Sequence, residues 1–95
     1  MSENLKITLP VLNRLGLHAR AAAKIAALAQ QYQADIILEK DGVKADARSI
    51  LDILCLGCSQ GSEVHLRAQG PEAFQAVEAL SDLFHHYFGE PQCRP

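Results

Sequence analysis

The sequence predicts a single α+β domain in which helices cover one face of a β-sheet. Three segments alternate apolar and polar residues, which is the pattern of a half-buried strand, and a fourth is joined to one of them by an Asp-Gly turn. Two longer segments have the spacing of amphipathic helices, and a capping motif marks a third helix between them. In chain order the elements read βαββαβα. Because each predicted strand has one apolar and one polar side, helices must cover one face of the sheet and water the other.

The first strand covers about residues 5–11, and Pro10 predicts an edge position for it because proline cannot donate to a hydrogen-bonded ladder. After a turn over residues 13–17, an alanine-rich helix begins near His18. Its predicted buried side consists of Ala21, Ala22, Ile25, Leu28, Ala29 and Tyr32. Its predicted wet side consists of Arg20, Lys24, Ala27 and Gln31.

A β-hairpin and a short helix follow. The strands cover about residues 34–40 and 43–47, and Asp41-Gly42 between them favours a two-residue turn. Ser49 and Asp52 then have the spacing of a capping box, which predicts a helix that starts at Ser49. This helix is expected to run to about Leu56, with Gly57 as its left-handed cap.

The last strand and the last helix complete the domain. Residues 64, 66 and 68 are apolar and their neighbours polar, and Pro71 in a first helical turn opens the final helix. That helix is expected to end at Gly89 and to bury Ala73, Phe74, Val77, Leu80, Leu83, Phe84, Tyr87 and Phe88. Residues 1–89 form the predicted domain, and residues 90–95, which include two prolines, form a short frayed C-terminal tail.

Composition excludes several classes of function. The chain has 95 residues, a formal net charge of −2 and 48% hydrophobic residues. This balance lacks the basic excess of a nucleic-acid-binding protein and the low hydrophobicity of a disordered chain. No apolar run approaches the roughly 20 residues needed to span a bilayer. We therefore expect a cytoplasmic monomer whose partners are proteins, without nucleic acid and without membrane insertion.

The residues around His18 predict a site for a phosphoryl group. A glycine turn precedes an alanine-rich helix, so His18 falls at the helix N-terminus. The first N–H groups of a helix have no partner within it and favour an anion. Arg20 and Lys24 lie one turn apart and add positive charge on the same side. Imidazole is a nucleophile, and the pattern therefore indicates a phosphohistidine site.

Three motifs in this order resemble the HPr family: L-G-L-H-A-R at 15–20, R-S-I-L-D-I-L-C-L-G at 48–57 and Q-G-S-E-V at 60–64. HPr proteins are the histidine-containing phosphocarriers of the phosphoenolpyruvate-dependent phosphotransferase system. The resemblance covers about residues 5–88 and implies an open-faced β-sandwich, with a four-stranded antiparallel sheet and three helices on one face. One position departs from the family, since Ala21 stands where proline is usual, and proline suits a first helical turn.

The resemblance also assigns roles to residues. It implies that the Nδ1 atom of His18 is phosphorylated (pros-phosphohistidine) and that Arg20 contacts the phosphoryl group. The protein is then a carrier rather than an enzyme, with no cofactor and no metal. Enzyme I would phosphorylate it transiently, and enzyme IIA-type acceptors would receive the phosphoryl group for sugar transport. Ser49 matches a regulatory serine that HPr kinase/phosphorylase modifies in some lineages, a role compatible with the helix cap.

The second predicted helix has more apolar residues than a single buried stripe needs. Those that face outward would form a docking patch for the partner proteins, and its charged rim would suit acidic partners. The residues expected in this surface are Ile50, Leu51 and Leu54, with Arg20, Lys24 and Arg48 at the rim.

Two alternative functions remain open. The first is a regulatory HPr-like protein, either of the nitrogen-related branch or controlled by a kinase that acts on Ser49. The second, more distant, is a thiol redox or metal-binding module that uses Cys55 and Cys58. A zinc site needs four converging ligands, and with Cys93 the odd number of cysteines also argues against a disulfide framework.

Overall fold

The computed structural model describes residues 3–90 and has the predicted order of elements. The strands are β1 (Glu3–Pro10), β2 (Asp35–Lys40), β3 (Val43–Asp46) and β4 (Glu63–Gly70), and the helices are α1 (Ala19–Ala29), α2 (Ile50–Cys55) and α3 (Ala73–His85). A short left-handed turn, Tyr87–Gly89, follows α3. The α+β class and the open-faced sandwich are thereby confirmed. Within residues 3–90, no helix is long and apolar enough to cross a membrane.

The four strands form one antiparallel sheet in the order β1-β4-β2-β3. β1 lies at an edge, as Pro10 predicts. In β4, apolar residues alternate with exposed ones along the whole strand, so one face of the sheet is buried. The β2–β3 hairpin turns at Asp41 and Gly42, whose φ angles of 51° and 79° are both left-handed, as a type I′ turn requires. Local periodicity therefore sets both the strands and the face that each one buries.

Helices cover the apolar face. α3 packs on β1 and β4, while α1 packs on α2 and α3. The buried residues of α1 are mostly alanines, and small side chains let this helix lie close to its neighbours. The last predicted contact of this helix, Tyr32, lies beyond its end at Ala29. In α2, Ile53 is fully buried, which leaves the other side of this two-turn helix toward solvent.

The prediction for α3 is wrong in three details, the first being its start, because the helix begins at Ala73 and Pro71 lies before it instead of in its first turn. The helix buries Ala73, Ala76, Leu80 and Phe84, and Phe74 is 54% exposed because it lies one position off this stripe. The helix also ends at His85 instead of Gly89, because the backbone turns left-handed from Tyr87 onward. This turn lets Phe88 enter the core from a direction that a continuing helix would not allow.

Candidate functional site

A rigid loop places His18 at the start of α1. Gly16 has a φ of 69°, and a Cβ added there would lie 2.4 Å from the backbone oxygen of Cys58. Only glycine fits so close to another backbone segment. The N–H of Leu17 donates to that same oxygen at 2.9 Å. Asn13 is fully buried, and its Nδ2 donates to the carbonyl of Gly16 at 2.7 Å. These contacts fix the chain immediately before His18.

Both ring nitrogens of His18 have a defined neighbour. His18 is the N-cap residue of α1, and its Nδ1 accepts from the backbone N–H of Arg20 at 3.3 Å. On the opposite side of the ring, Nε2 lies 2.5 Å from a carboxylate oxygen of Glu90. A backbone N–H only donates and a carboxylate only accepts, so these partners assign the proton to Nε2 and leave a lone pair on Nδ1.

Glu90 belongs to the site, although the sequence pattern places it in the tail. Its side chain is only 11% exposed, and Asn13 donates to its other oxygen at 3.1 Å. Burial alone would raise the pKa of Glu90, but the hydrogen bonds from His18 and Asn13, helped by the charge of Lys24, hold it below its ordinary value. No local motif predicts this contact, because Glu90 lies 72 positions from His18 in the sequence. Residues 91–95 of the predicted tail, including Cys93, lie outside the described part of the chain.

The predicted cations separate into three positions. Arg20 is exposed, and its guanidinium has no hydrogen bond or ion pair with residues 3–90. The Nζ atom of Lys24 donates to the carbonyl of Phe88 at 2.5 Å, so Lys24 supports the C-terminal turn. The guanidinium of Arg48 donates to the carbonyls of Tyr32 and Ala34, beyond the far end of α1.

The guanidinium of Arg48 therefore lies away from His18. An 11-residue helix is roughly 16 Å long at 1.5 Å per residue, and α1 separates the two groups by this length. Arg48 ties the chain just before α2 to the segment that follows α1, because its guanidinium donates to two backbone carbonyls there. The structure brings Arg20 and His18 together and leaves Arg48 at the opposite end of the helix.

Ser49 caps α2, as predicted. Its Oγ accepts from the backbone N–H of Asp52 at 3.1 Å. The second half of the predicted capping box is absent among the described residues, because the carboxylate of Asp52 accepts from the N–H of Asp46 at 3.2 Å instead. The N–H of Ser49 is satisfied by the carbonyl of Asp46. The side chain of Ser49 is half-buried at the helix N-terminus.

An apolar surface covers the outer side of α2. Ile50, Leu51 and Leu54 are 42%, 71% and 38% exposed, respectively. We call these three residues the α2 patch. Leu15, in the loop before His18, is 66% exposed, and this loop is bound to the segment directly after α2 through Leu17. Leu15 was not predicted from the sequence, since a single leucine in a turn belongs to no periodic pattern.

The two cysteines of the C-x-x-C motif differ in environment. Cys55 is exposed, Cys58 is buried, and both are free thiols. Burial raises the pKa of Cys58, only partly offset by Lys40. A raised pKa disfavours the thiolate on which redox and metal chemistry depend. Over residues 3–90, no three His, Cys, Asp or Glu side chains converge as metal ligands.

Fold and site together define a class of protein: a small α+β domain that presents one imidazole at the N-terminus of a helix. A family model described as "PTS HPr component phosphorylation site" matches residues 5–86. The chain therefore belongs to the HPr family, the phosphocarrier proteins of the phosphotransferase system.

Individual relatives agree with this assignment. The chain is 34% identical over 86 residues to the phosphocarrier protein HPr of Neisseria meningitidis, covering 90% of this chain and 97% of that protein. It is 36% identical over 86 residues to the phosphocarrier protein NPr of Escherichia coli, covering 90% and 96%. Among solved structures, an HPr of Thermoanaerobacter tengcongensis superposes with a TM-score of 0.88 and 41% identity, covering 92% of this chain and 98% of that one.

Proposed function

We propose that this protein is a cytoplasmic carrier that accepts a phosphoryl group on His18 from phosphorylated enzyme I and passes it to enzyme IIA-type acceptors of sugar transport. The observation that carries this proposal is the geometry of the His18 ring. Its Nδ1 atom holds a lone pair at the N-terminus of α1, and Arg20, two residues on, has an exposed guanidinium with no hydrogen bond or ion pair among residues 3–90. Membership in the HPr family supports the same role.

For phosphoryl transfer, the protein needs to supply mainly alignment of the reacting groups and positive charge. Phosphoryl transfer passes through a loose transition state, so catalysis rests on alignment and on balancing the charge of the equatorial oxygens. At this site the N–H of Arg20, released from Nδ1 as that atom attacks, and the Arg20 guanidinium supply the positive charge. A helix N-terminus contributes only about 0.3–1 kcal/mol to holding an anion, which suits a group that must leave again.

The α2 patch is the proposed docking surface for enzyme I and for the acceptors, which would use it in turn. Three exposed aliphatic side chains on one short helix are typical of a protein-binding surface, and Leu15 extends the surface toward His18. Lys24 and Arg48 were expected at the rim. Both donate to backbone carbonyls and stay in the proposed rim, while Arg20 is a rim cation with no hydrogen bond or ion pair among residues 3–90.

Ser49 is the proposed regulatory position. A phosphate there would lie at the N-terminus of α2, next to Ile50 of the α2 patch. The helix dipole would stabilise it, while its negative charge would stand at the surface that must bind partners. We therefore expect phosphorylation of Ser49 by an HPr kinase/phosphorylase to weaken docking without unfolding α2.

A second candidate is the regulatory, nitrogen-related branch. Relatives named NPr are 36% and 37% identical to this chain, and relatives named HPr are 34% to 39% identical, so similarity favours neither branch. Assays with enzyme I of a sugar branch and with enzyme I of a nitrogen branch would separate the two candidates. The branch whose enzyme I gives the higher kcat/KM is the one in which the protein works.

The test is phosphorylation by enzyme I with phosphoenolpyruvate and Mg²⁺, followed by intact-mass analysis. We expect one phosphoryl group per chain, labile in acid and stable in base, and none on the His18→Ala protein. His65→Ala is the matched control, since His65 is an exposed histidine on the open face of the sheet. An acid-labile adduct that persists after His18→Ala would assign the phosphate to another histidine and overturn the proposal.

A further inference from the structure

The chain leaves α3 through a turn that most amino acids disfavour. Tyr87, Phe88 and Gly89 have φ angles of 58°, 54° and 75°. Residues with a Cβ are strained in this left-handed region, and two of the three have one. Such strain persists only where the surrounding structure imposes it, and it concentrates at functional sites. The strained turn therefore indicates a functional role for the residue that it positions, Glu90.

Two contacts hold the turn in place. Phe88 is fully buried, and its ring packs edge-on against Phe84 with a centroid distance of 4.8 Å. Lys24 reaches from α1 to the carbonyl of Phe88. One contact belongs to the core and the other to the helix that His18 caps. The position of Glu90 is thus tied to the same helix as the ring that it contacts.

Both oxygens of the Glu90 carboxylate are engaged. One accepts from His18 Nε2 and the other from Asn13 Nδ2. The orientation of the Asn13 amide is determined, because its two partners, Glu90 and the carbonyl of Gly16, are both acceptors and require its NH₂ group. Asn13 Oδ1 is left without a partner among residues 3–90, although it is buried. A buried acceptor without a partner is costly, and here it is retained so that the NH₂ group can face Glu90.

From these contacts we infer that Glu90 and Asn13 are positioning residues, which hold His18 with its proton on Nε2 and offset the positive charge that the ring gains with a phosphoryl group. This inference rests on the proposed function. Asn13 aligns the carboxylate, and the carboxylate accepts the Nε2 proton. Nδ1 then presents its lone pair toward the helix N-terminus, where the phosphoryl group would arrive.

The transfer step balances without any loss of a proton. The Nδ1 lone pair of His18 forms the new N–P bond, and the N–P bond on the donor histidine breaks, returning its electron pair to the donor ring. The Nε2 proton stays, so the His18 ring becomes an imidazolium, whose charge faces the Glu90 carboxylate. In the next transfer the N–P bond of His18 breaks and its electron pair returns to Nδ1, so the His18 ring is released as a neutral imidazole. Without that proton, the ring would have to leave as an imidazolide anion.

Glu90→Gln tests the inference with almost no change of shape. Asn13 requires an acceptor, so it receives the amide oxygen of the new side chain, and the NH₂ group then faces His18 Nε2. A donor at this position makes Nε2 an acceptor and moves the proton to Nδ1, which blocks the nucleophile. We expect ¹⁵N NMR to show the Nδ1–H tautomer, and phosphorylation by enzyme I to fall about 10- to 100-fold, as for a lost charge-assisted hydrogen bond.

Two further variants isolate the mechanism. Glu78→Gln changes an exposed glutamate on α3 and is the matched control. We expect it to keep the His18 tautomer and the phosphorylation rate of the unmodified protein. In Asn13→Ala/Glu90→Gln the new amide is free to turn its oxygen toward His18, so the Nε2–H tautomer and part of the rate should return. If that double variant does not fold by circular dichroism, Glu90→Ala replaces it, with an expected mixture of tautomers.

The results separate this inference from the proposed function. Glu90→Gln with the Nε2–H tautomer and an unchanged rate would overturn the inference. So would a slower rate with an unchanged tautomer, because the role of Glu90 would then be structural. The NMR measurement needs only the protein itself. If the unmodified chain accepts no phosphoryl group from enzyme I while the tautomer responds as expected, the proposed function fails and the positioning by Glu90 stands.

Discussion

Replacing Gly16 by alanine should destabilise the protein through one identifiable contact. The new Cβ would lie 2.4 Å from the oxygen of Cys58 and 2.9 Å from the Cα of Ser59, and both are backbone atoms that cannot turn away. A left-handed φ costs alanine about 1–2 kcal/mol, and overpacking typically adds about 1–3 kcal/mol. A less flexible unfolded chain returns about 0.4–1 kcal/mol. We expect a net loss of about 1–4.5 kcal/mol.

Gly57→Ala provides the matched control. Gly57 also has a left-handed φ, of 64°, but no atom lies within 4 Å of the Cβ that alanine would add. Its cost should therefore be backbone strain alone, about 0–1.5 kcal/mol after the gain from the unfolded state. The difference between the two variants isolates the contact between the loop and the segment after α2.

Urea unfolding followed by far-ultraviolet circular dichroism measures both variants, with the midpoint and slope fitted separately. Equal free energies of unfolding for Gly16→Ala and Gly57→Ala would refute the reasoning, since the clash would then be absent. Phosphorylation by enzyme I gives a second comparison. Gly16→Ala should slow it, because His18 lies two residues beyond the displaced backbone, whereas Gly57→Ala should leave it close to normal.

Four further perturbations have defined outcomes. Ser49→Ala should lose about 1 kcal/mol of stability by urea unfolding, because the cap to α2 is lost, and should still accept phosphate. Ser49→Asp should keep its stability, since aspartate also caps helices, but transfer from enzyme I should slow; equal transfer by both variants would make the residue purely structural. In a Cys93→Ser background, a thiol reagent should modify exposed Cys55 rapidly and Cys58 only slowly, because burial raises the pKa of Cys58. Mass spectrometry after a short pulse of reagent measures the order, and faster modification of Cys58 would contradict this prediction. The pKa of Glu90 in the folded protein lies below its ordinary value. The ionised carboxylate therefore stabilises the fold at pH values above the ordinary pKa, and this stabilisation is lost as the pH falls through the folded-state pKa. The stability difference between the unmodified protein and Glu90→Gln should therefore be constant near about pH 6 and shrink toward about pH 3, and a difference that grows on acidification would contradict the assignment.

The fold was predictable because its determinants are local. Alternation in β4, the Asp41-Gly42 turn and the Ser49 cap each act within a few residues, and each lies where the pattern predicts. The end of α3 was not predictable in this way. Phe88 has the spacing of the helix face, but its packing against Phe84 requires a left-handed turn that costs local energy. Tertiary packing therefore overrides local preference there.

The exposure of the α2 patch was predictable from the sequence. An excess of apolar residues on α2 correctly indicated that some must be exposed, and Ile50, Leu51 and Leu54 are. The position of Arg48 could not be read in the same way, because proximity in sequence to Ser49 says nothing about the direction of a long side chain. Its guanidinium extends to the backbone beyond α1, where two carbonyls accept from it.

The two sides of the His18 ring show why one half of the site was accessible to sequence reasoning and the other half was not. The Nδ1 side is built by neighbours in sequence, the Gly16 turn and the first N–H groups of α1, so a short motif is enough to predict it. The Nε2 side is built by Glu90, which reaches the ring only because α3 stops and turns. The proposed function would use both sides, since a phosphoryl group on Nδ1 would bring negative charge to that nitrogen and leave positive charge on the ring. Positive groups at Nδ1 without a carboxylate at Nε2 would stabilise only the first of these charges.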